Sequence, residues 1–556
     1  MARDSCCRAV SHVGALILLF VVTIPLYAQP ARENVDGRAE VFAGSELERY
    51  LRVLQLGGVA RPYPWTIRPF GAAELDRILP ADTAGHPWQG RYTLGAEAGE
   101  RWVIWVSPRA VSVFNSAFPY GGNDGPIWAG RGATAALQAG LSMRYGPLTL
   151  TLAPLVFLAS NTEFELTPNG ETDRYVFADW RARHRAIDLP QRFGEGAYGR
   201  IDPGQSSLRI DLGGLAAGVA SANEFWGPAI EQPILLGNNA PGFLHAFAGT
   251  AMPWNVRIGR VHARALWGRL EQSEYAFAHP GQEVRFTSGL IATFSPRGVP
   301  GLEIGGARFF HLSWPAHGLG ANELLKPFEG LLKDGQVARV PDPERPGESL
   351  LAPDNQLASI FLRWSFPKSG FEVYGEYGKE DHNFDRRDLI LNFDQNGGYL
   401  VGFQKLWKPS DSAWTVLRAE VLNLQVGHVD RARAQSPFYQ HSYFRQGHTH
   451  RGQILGAPAG YGGAGAVLAL DRYSATGRWT LAWRRALLGD EGDYWKSGIA
   501  GTQDLDVQHA LGADWLGFRG RWDLHAGAAL VYEQNRGHGG DSALNLNVTL
   551  GARFGL

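Results

Sequence analysis

Cysteine is almost absent from this sequence of 556 residues. It occurs only as Cys6 and Cys7, within the first 28 residues. If that segment is removed during export, the mature chain has no thiol. This would exclude disulfide bonds, thiolate metal sites and cysteine nucleophiles.

The segment that carries the cysteines has the organisation of a secretory signal peptide. Arg3 and Arg8 give it a basic start, an apolar stretch runs from Val13 to Leu26, and Ala28 ends a plausible cleavage site. The alternative is a membrane anchor, for which the apolar stretch is short. We therefore expect residues 1–28 to be a cleaved signal peptide.

Long apolar runs are missing after residue 28. No stretch of about eighteen apolar residues follows, so the sequence predicts no transmembrane helix. The net charge is -1, which excludes broad electrostatic attraction to nucleic acid. Lysine first occurs at Lys326, so arginine supplies most of the positive charge. A GC-rich genome explains this bias, and the alternative is recognition of ligand carboxylates by arginine.

The last residues of the chain alternate strictly between apolar and polar or small side chains. Because successive side chains of a strand point to opposite faces, one face is apolar throughout. The apolar face comprises Leu544, Leu546, Val548, Leu550, Ala552 and Phe554, and the other comprises Asn545, Asn547, Thr549, Gly551 and Arg553. In a soluble sandwich these faces meet core and water, and in a transmembrane barrel they meet lipid and lumen. A long strand in this position favours the barrel, since the last strand must close the sheet.

From residue 91 onward the same period of two predicts a series of strands, with one at 206–220 and one or two at 252–270. Short connections alternate with long ones, such as 159–205, 313–353 and 426–460. Outer-membrane barrels have this asymmetry, with short periplasmic turns and long outer loops. We therefore expect residues 91–556 to form an antiparallel outer-membrane β-barrel with long extracellular loops.

One hairpin, at 356–378, is specific enough to predict its register. A tight turn at 367–370 would pair Trp364 with Val373 on an apolar face and Ser365 with Glu372 on the other face. Arg363 would then lie diagonal to Glu372. The alternations of the two strands agree under this register, as a hairpin requires.

Residues 29–90 have a different pattern. Ser45 is a candidate N-cap, apolar residues follow at helical spacing, and Gly57 and Gly58 form a stop signal. A second short helix is predicted from Ala72 to Leu79. We expect a small periplasmic helical segment whose apolar stripe docks against the barrel mouth.

Several loop motifs occur together in one order along the chain. They are Asn223-Glu224-Phe225-Trp226-Gly227-Pro228, Asn238-Asn239-Ala240-Pro241 and Gly447-His448-Thr449-His450-Arg451-Gly452-Gln453-Ile454-Leu455-Gly456. Together they resemble the capsule-assembly, Wzi-type family of outer-membrane proteins over most of the mature chain. Phe225 departs from the pattern, because many relatives have a second tryptophan there. The resemblance implies about eighteen strands, a helical plug and a role in attaching capsular polysaccharide to the cell surface.

Aromatic rings stack on sugar faces, while amide and guanidinium groups hydrogen-bond hydroxyls and carboxylates. On this basis, the candidate polysaccharide-binding residues are Trp226, Asn238, Asn239, Phe243, His448, His450 and Arg451. The alternative is that these side chains pack the loops into the barrel. Asn238 and Asn239 precede Ala-Pro and are also typical of a turn whose side chains cap backbone groups.

The motifs for metal binding and catalysis are weak. His448 and His450 share a face if extended and could join His441 at a metal, but no carboxylate or cysteine accompanies them. Glu372 and Glu376 would lie about 13 Å apart on one strand, too far for paired glycosidase carboxylates. The glycines of 460–465 match a dinucleotide-binding pattern without its strand and helix. We predict no metal site, no cofactor and no catalytic residue.

The sequence therefore favours a non-enzymatic, lectin-like outer-membrane barrel. Its expected partners are capsular or extracellular polysaccharide, outer-membrane lipid and the polysaccharide export machinery, and its expected state is monomeric. One alternative is a diffusion porin, and another is a barrel enzyme that acts on lipid or glycan.

Overall fold

The computed structural model describes residues 35–556 except 79–84, 94–100, 182, 184–185, 278–281, 316–317, 330–338, 342–348, 352–353, 381–385, 392, 394, 427–435, 489–504 and 539. The expected signal peptide, residues 1–28, lies outside the described residues. Within these ranges, no helix has the length and apolar character needed to span a bilayer.

The described residues form one closed antiparallel barrel. It contains twenty-one strand segments, and three strands consist of two segments each, which leaves eighteen strands. The strands are β1 (Arg101–Asn115), β2 (Gly132–Tyr145), β3 (Leu148–Leu152 and Leu155–Ala159), β4 (Tyr198–Asp202 and Ser207–Leu212), β5 (Leu215–Ala220), β6 (His245–Thr250 and Trp254–Val256), β7 (Gly259–Glu271), β8 (Val284–Pro296), β9 (Leu302–Ser313), β10 (Asp354–Phe366), β11 (Phe371–Glu380), β12 (Gly397–Ser410), β13 (Ala413–Asn423), β14 (Ala464–Ser474), β15 (Gly477–Leu488), β16 (Asp506–Arg519), β17 (Trp522–Gln534) and β18 (Ala543–Phe554).

Each strand pairs with the next along the chain, and β18 pairs with β1 through Val548 and Phe114. Connections of two to five residues join the strands at one end, which we call the short-turn end. The connections at the opposite end, the long-loop end, are all longer and reach 40 residues between β13 and β14 (424–463). In outer-membrane barrels the short turns face the periplasm.

Outward and inward side chains alternate as the sequence predicts. Trp364 pairs with Val373 and Ser365 with Glu372, so the predicted hairpin register is confirmed. On β18, Leu544 is exposed on the outer wall, whereas its neighbour Asn545 is buried inside. The exposed apolar face is the surface that a barrel presents to lipid.

Two strand predictions need correction. The predicted strand at 206–220 is a hairpin, because Gly213 and Gly214 both have positive φ (61° and 82°) and turn the chain between β4 and β5. The first segments of β4 and β6, Tyr198–Asp202 and His245–Thr250, lie outside the predicted strands. Leu212 and Leu215 flank the two glycines, so the apolar pattern continues through the turn and conceals it.

The N-terminal segment lies inside the short-turn end. Helix α1 (Glu46–Leu56) begins after Ser45, whose Oγ accepts a hydrogen bond from the Glu48 amide at 3.2 Å. Its Tyr50 stacks on Trp88 at 3.9 Å between ring centroids and packs against Tyr473 of β14. Helix α2 (Ala72–Ile78) follows. The segment also contains a 3₁₀ turn (Gly37–Glu40) and short strands at Val35–Asp36, Ile67–Arg68 and Tyr92–Thr93.

The described parts of the long connections contain two further helices, α3 (Ala321–Leu325) and α4 (Arg386–Leu391). Short 3₁₀ turns occur at Asp173–Phe177, Lys326–Phe328 and Arg536–His538. Small two-stranded pairs join Arg339–Pro341 to Ser349–Leu351 and Thr449–His450 to Gln453–Ile454. The pair Phe225–Trp226 joins Ile67–Arg68 of the N-terminal segment.

Candidate functional site

The connection between β5 and β6, residues 221–244, folds into the barrel. Trp226 has no exposed surface, and its indole N–H donates to Glu224 at 2.9 Å. Glu224 also pairs with Arg264 of β7 at 3.1 Å. Trp226 is therefore anchored to the inner wall, and its ring packs with other apolar residues of the barrel interior.

His448 links a second inward-folded segment to the first. Its Nε2 lies 2.6 Å from the carbonyl of Leu235, so this nitrogen must be the donor. Its Nδ1 then accepts from His311 Nε2 at 2.9 Å, and Arg285 donates to the other nitrogen of His311 at 3.2 Å. Burial lowers the pKa of His448 to about 3, which agrees with a neutral ring.

The next two predicted residues hold the same segment to the wall. His450 Nδ1 accepts a hydrogen bond from the Glu271 amide at 3.0 Å, and burial, with a smaller contribution from Arg451, holds the pKa of His450 well below its usual range. Arg451 is partly exposed and pairs with Glu271 at 2.9 Å and Asp202 at 3.3 Å. Phe243 is buried, and its ring centroid lies 6.2 Å from that of His450.

Asn238 and Asn239 join three long connections. Asn238 Nδ2 donates to the carbonyl of Asn123 at 2.8 Å, and Asn239 Nδ2 donates to that of Ile454 at 3.0 Å. Both side chains therefore cap backbone groups, and both remain half-buried. The seven predicted residues therefore lie in two segments that contact each other, 221–244 and 448–454.

A cavity of about 340 Å³ opens above these connections at the long-loop end. Its volume is within the usual range for small-molecule sites. Asn239 and Ile454 lie in its lining. The lining also contains aromatic and charged residues that the sequence analysis did not single out: Trp128, Trp180, Arg181, Tyr461, Asp506, Glu533 and Arg536.

One wall of the cavity combines aromatic rings with a fixed cation. The Arg181 guanidinium carbon lies 3.7 Å from the centroid of the Tyr461 ring and 4.7 Å from that of Trp180. Asp179 fixes the guanidinium through a hydrogen bond of 2.7 Å. The glycine-rich run at 460–463, which resembled a nucleotide motif, is the turn that presents Tyr461 here.

Another part of the wall offers hydrogen-bond acceptors. Within the described part of the chain, the Oε1 of Gln453 accepts no hydrogen bond. The buried carboxyl group of Asp506 shares a hydrogen bond with the side chain of Glu533. Oxygen acceptors beside aromatic faces suit a ligand that carries hydroxyl groups. Among the described residues, no group of three or more His, Cys, Asp or Glu has a geometry that could hold a metal ion.

An eighteen-stranded closed barrel with an apolar outer face is an integral outer-membrane protein. Residues 84–535 match the family model described as capsule assembly protein Wzi, which covers most of the chain. The chain therefore belongs to this family, as the loop motifs indicate, and its location is the outer membrane.

A solved structure supports the fold. Wzi of Escherichia coli, an outer-membrane protein involved in group 1 capsule assembly and described as a carbohydrate-binding β-barrel, is similar with a TM-score of 0.60 and 12% identity. The match covers 93% of this chain and 99% of that chain. OccK2 of Pseudomonas aeruginosa is similar at a TM-score of 0.37 and 9% identity, over 82% of this chain and 97% of that chain. No curated protein sequence matches.

Proposed function

We propose that this protein binds capsular or extracellular polysaccharide in the cavity at its long-loop end, and so holds the polymer at the cell surface without chemically changing it. The observation that carries the proposal is the cavity itself. It lies at the end that faces outward in outer-membrane barrels and combines the half-buried rings of Trp128 and Trp180 with the acceptor oxygen of Gln453. Family membership and the carbohydrate binding described for the E. coli relative support the same ligand class.

The seven residues predicted from the sequence have two roles in this proposal. Asn239 lines the cavity and contacts the polymer. Trp226, Phe243, His448 and His450 are buried behind it and position the connections that form its floor. Asn238 and Arg451 also position these connections. Asn238 does so through its hydrogen bond to the Asn123 carbonyl, and Arg451 through its ion pairs with Glu271 and Asp202.

The packing of the interior makes a diffusion porin the weaker interpretation. A porin needs a water-filled lumen, whereas here the inward-folded connections pack against inner-wall residues such as Phe309 and Tyr374. At the short-turn end, α1 packs against Trp414 and Tyr473 of the wall. We also propose that the barrel acts as a monomer, since β1 and β18 close it within one chain, and that it receives polymer from the export machinery.

The proposal is tested by binding of purified protein to the polysaccharide of its own cell. Trp128→Ala and Trp180→Ala should each weaken binding about five- to tenfold, as the loss of roughly 1 kcal/mol or more per aromatic contact implies. Trp407→Ala is the matched control, because Trp407 is an exposed tryptophan on the outer wall near the short-turn end. If all three variants bind the polysaccharide equally well, the cavity is not the binding site.

A further inference from the structure

The connection between β9 and β10 turns back along the outside of the barrel. The indole N–H of Trp267 donates to the carbonyl of Leu324 at 2.9 Å, and Arg308 donates to that of Glu329 at 2.6 Å. Trp267 and Arg308 are outward residues, because their strand neighbours, such as Leu266 and Phe309, belong to the interior cluster. Residues 319–328 therefore lie against the lipid-facing side of β7–β10.

This segment buries a charged side chain and exposes apolar ones. Lys326 is turned toward the wall, where it is buried and pairs with Asp354 at 2.8 Å. Leu325 and Phe328 point away from the wall and are 60% and 61% exposed. Leu319 and Leu324 are exposed as well. In water the opposite arrangement is expected, with the charge outside and the leucines covered.

The connection between β11 and β12 repeats this arrangement on the adjoining wall. Tyr377 and Lys379 are outward residues of β11, since Tyr374, Glu376 and Glu380 on the alternate positions are buried. The ring of Tyr377 stacks on Phe393 at 4.8 Å, and Lys379 Nζ donates to the carbonyl of Phe393 at 3.2 Å. Phe393, Leu391 and Ile390 are themselves exposed.

We propose that residues 319–328, together with Ile390, Leu391 and Phe393, form an outer collar embedded in the outer leaflet, with lipid hydrocarbon as its partner. The collar continues the established lipid-facing surface. On β10 the outward residues Leu362 and Ile360 are exposed, whereas the next polar ones, Gln356 and Asp354, are buried.

The collar also provides partners for polar side chains on the outer wall that would otherwise face lipid. Unpaired polar groups at lipid-facing positions are costly. Arg308 donates to the carbonyls of Pro327 and Glu329 and to the side chain of Gln356, and Asp354 is neutralised by Lys326. The large exposed side chains of residues 319–328 are apolar, as lipid contact requires: Leu319, Leu324, Leu325 and Phe328.

The test uses single-cysteine variants, which the chain permits because residues 29–556 contain no cysteine. Leu325→Cys and Phe328→Cys are labelled with a small environment-sensitive fluorophore in protein reconstituted into phosphatidylcholine vesicles. Ile360→Cys, on the exposed lipid-facing wall, is the positive control. Glu195→Cys, on an exposed part of the connection between β3 and β4, is the aqueous control.

Nitroxide-bearing lipids should quench the labels at 325 and 328 as strongly as the label at 360, and about threefold more than the label at 195. Aqueous iodide should show the reverse order. Quenching of 325 and 328 by iodide to the level of 195 would overturn the proposal. Protection from both quenchers together with a dimeric mass in light scattering would also overturn it, because a second copy would then be the partner. Neither result bears on polysaccharide binding at the cavity.

Discussion

Arg52 of helix α1 and Glu372 of strand β11 form a buried ion pair, with Arg52 Nη2 2.8 Å from Glu372 Oε1. Glu372 also pairs with Arg363 of the neighbouring strand, as the predicted diagonal contact requires. Arg52 in turn donates to the carbonyls of Pro228 and Ala229 in the inward-folded connection. One arginine therefore joins the N-terminal segment, the wall and the connection that supports the cavity.

Arg52→Ala should loosen the N-terminal segment. Removing one partner of a buried pair costs about 3–5 kcal/mol, although Arg363 would retain part of the neutralisation of Glu372. Single-barrel conductance in planar bilayers should then show frequent opening events. Arg61→Ala is the control, because Arg61 is exposed. Unchanged quiet traces from Arg52→Ala would show that the pair does not hold the segment.

Deletion of residues 40–80 should give a larger effect than the single substitution. The two helices are too short to be stable alone and depend on the barrel for their packing, since isolated helices under about 12–15 residues are marginal. Their removal exposes the inner wall at the short-turn end and should raise ion conductance. If the intact protein already conducts ions like an open porin, the result supports a diffusion channel and contradicts closure by the N-terminal segment.

The closing strand tests the assignment of faces. Val548→Arg places a charge on the lipid face near the middle of β18 and should lower the free energy of unfolding by about 2–4 kcal/mol. Asn547→Arg places the same charge inside and should cost about 1 kcal/mol, mainly through the lost hydrogen bond to Asn115. Denaturant unfolding in lipid measures both variants. Equal losses would contradict the face assignment.

Low pH should loosen the connection that carries His448. Because its folded pKa of about 3 lies below the ordinary value near 6.5, the unfolded loop binds more protons between these values, so stability falls as the pH falls through this window. The loss is at most about 1.4 kcal/mol per pH unit for one group. Hydrogen exchange of 447–455 at several pH values measures it.

His448→Gln is the informative variant for this prediction. A glutamine amide can donate to the Leu235 carbonyl and accept from His311, but it does not titrate. The variant should keep the connection docked at neutral pH and reduce the pH dependence, leaving the part that comes from His450. If hydrogen exchange of 447–455 depends on pH as it does in the parent protein, protonation of His448 is not the cause of the loosening.

Much of the barrel could be predicted from the sequence, because alternation and turn length act locally. The register of Trp364 and Val373 follows from one short turn and two alternations. The cavity could not be predicted in this way. Trp180, Tyr461 and Asp506 lie in different connections and strand ends, and they meet only after the long connections fold inward. The clue in the sequence was the concentration of aromatic and arginine residues in 160–197.

The inward folding of 221–244 depends on buried charges that no local pattern reveals. Three amides at 230–232 donate to the carboxylate of Glu420 on β13, which lies far away along the chain. Trp226 looked available for sugar stacking because it stands in a glycine- and proline-rich loop motif. Its burial follows from the pairing of Glu224 with Arg264.

Trp226→Ala and Trp180→Ala should therefore fail in different ways. Loss of the fully buried Trp226 ring leaves a hole in the interior and should cost about 3–5 kcal/mol, so the yield of folded, heat-modifiable barrel should fall. Trp180 lines the cavity and is only half-buried, so its loss should leave folding intact but release polymer into the medium. Many barrels holding one polymer chain amplify a small loss per site. Folded barrel and cell-attached polysaccharide, measured in the same cells, separate the two outcomes. If Trp226→Ala folds normally and still releases polymer, Trp226 contacts the sugar directly.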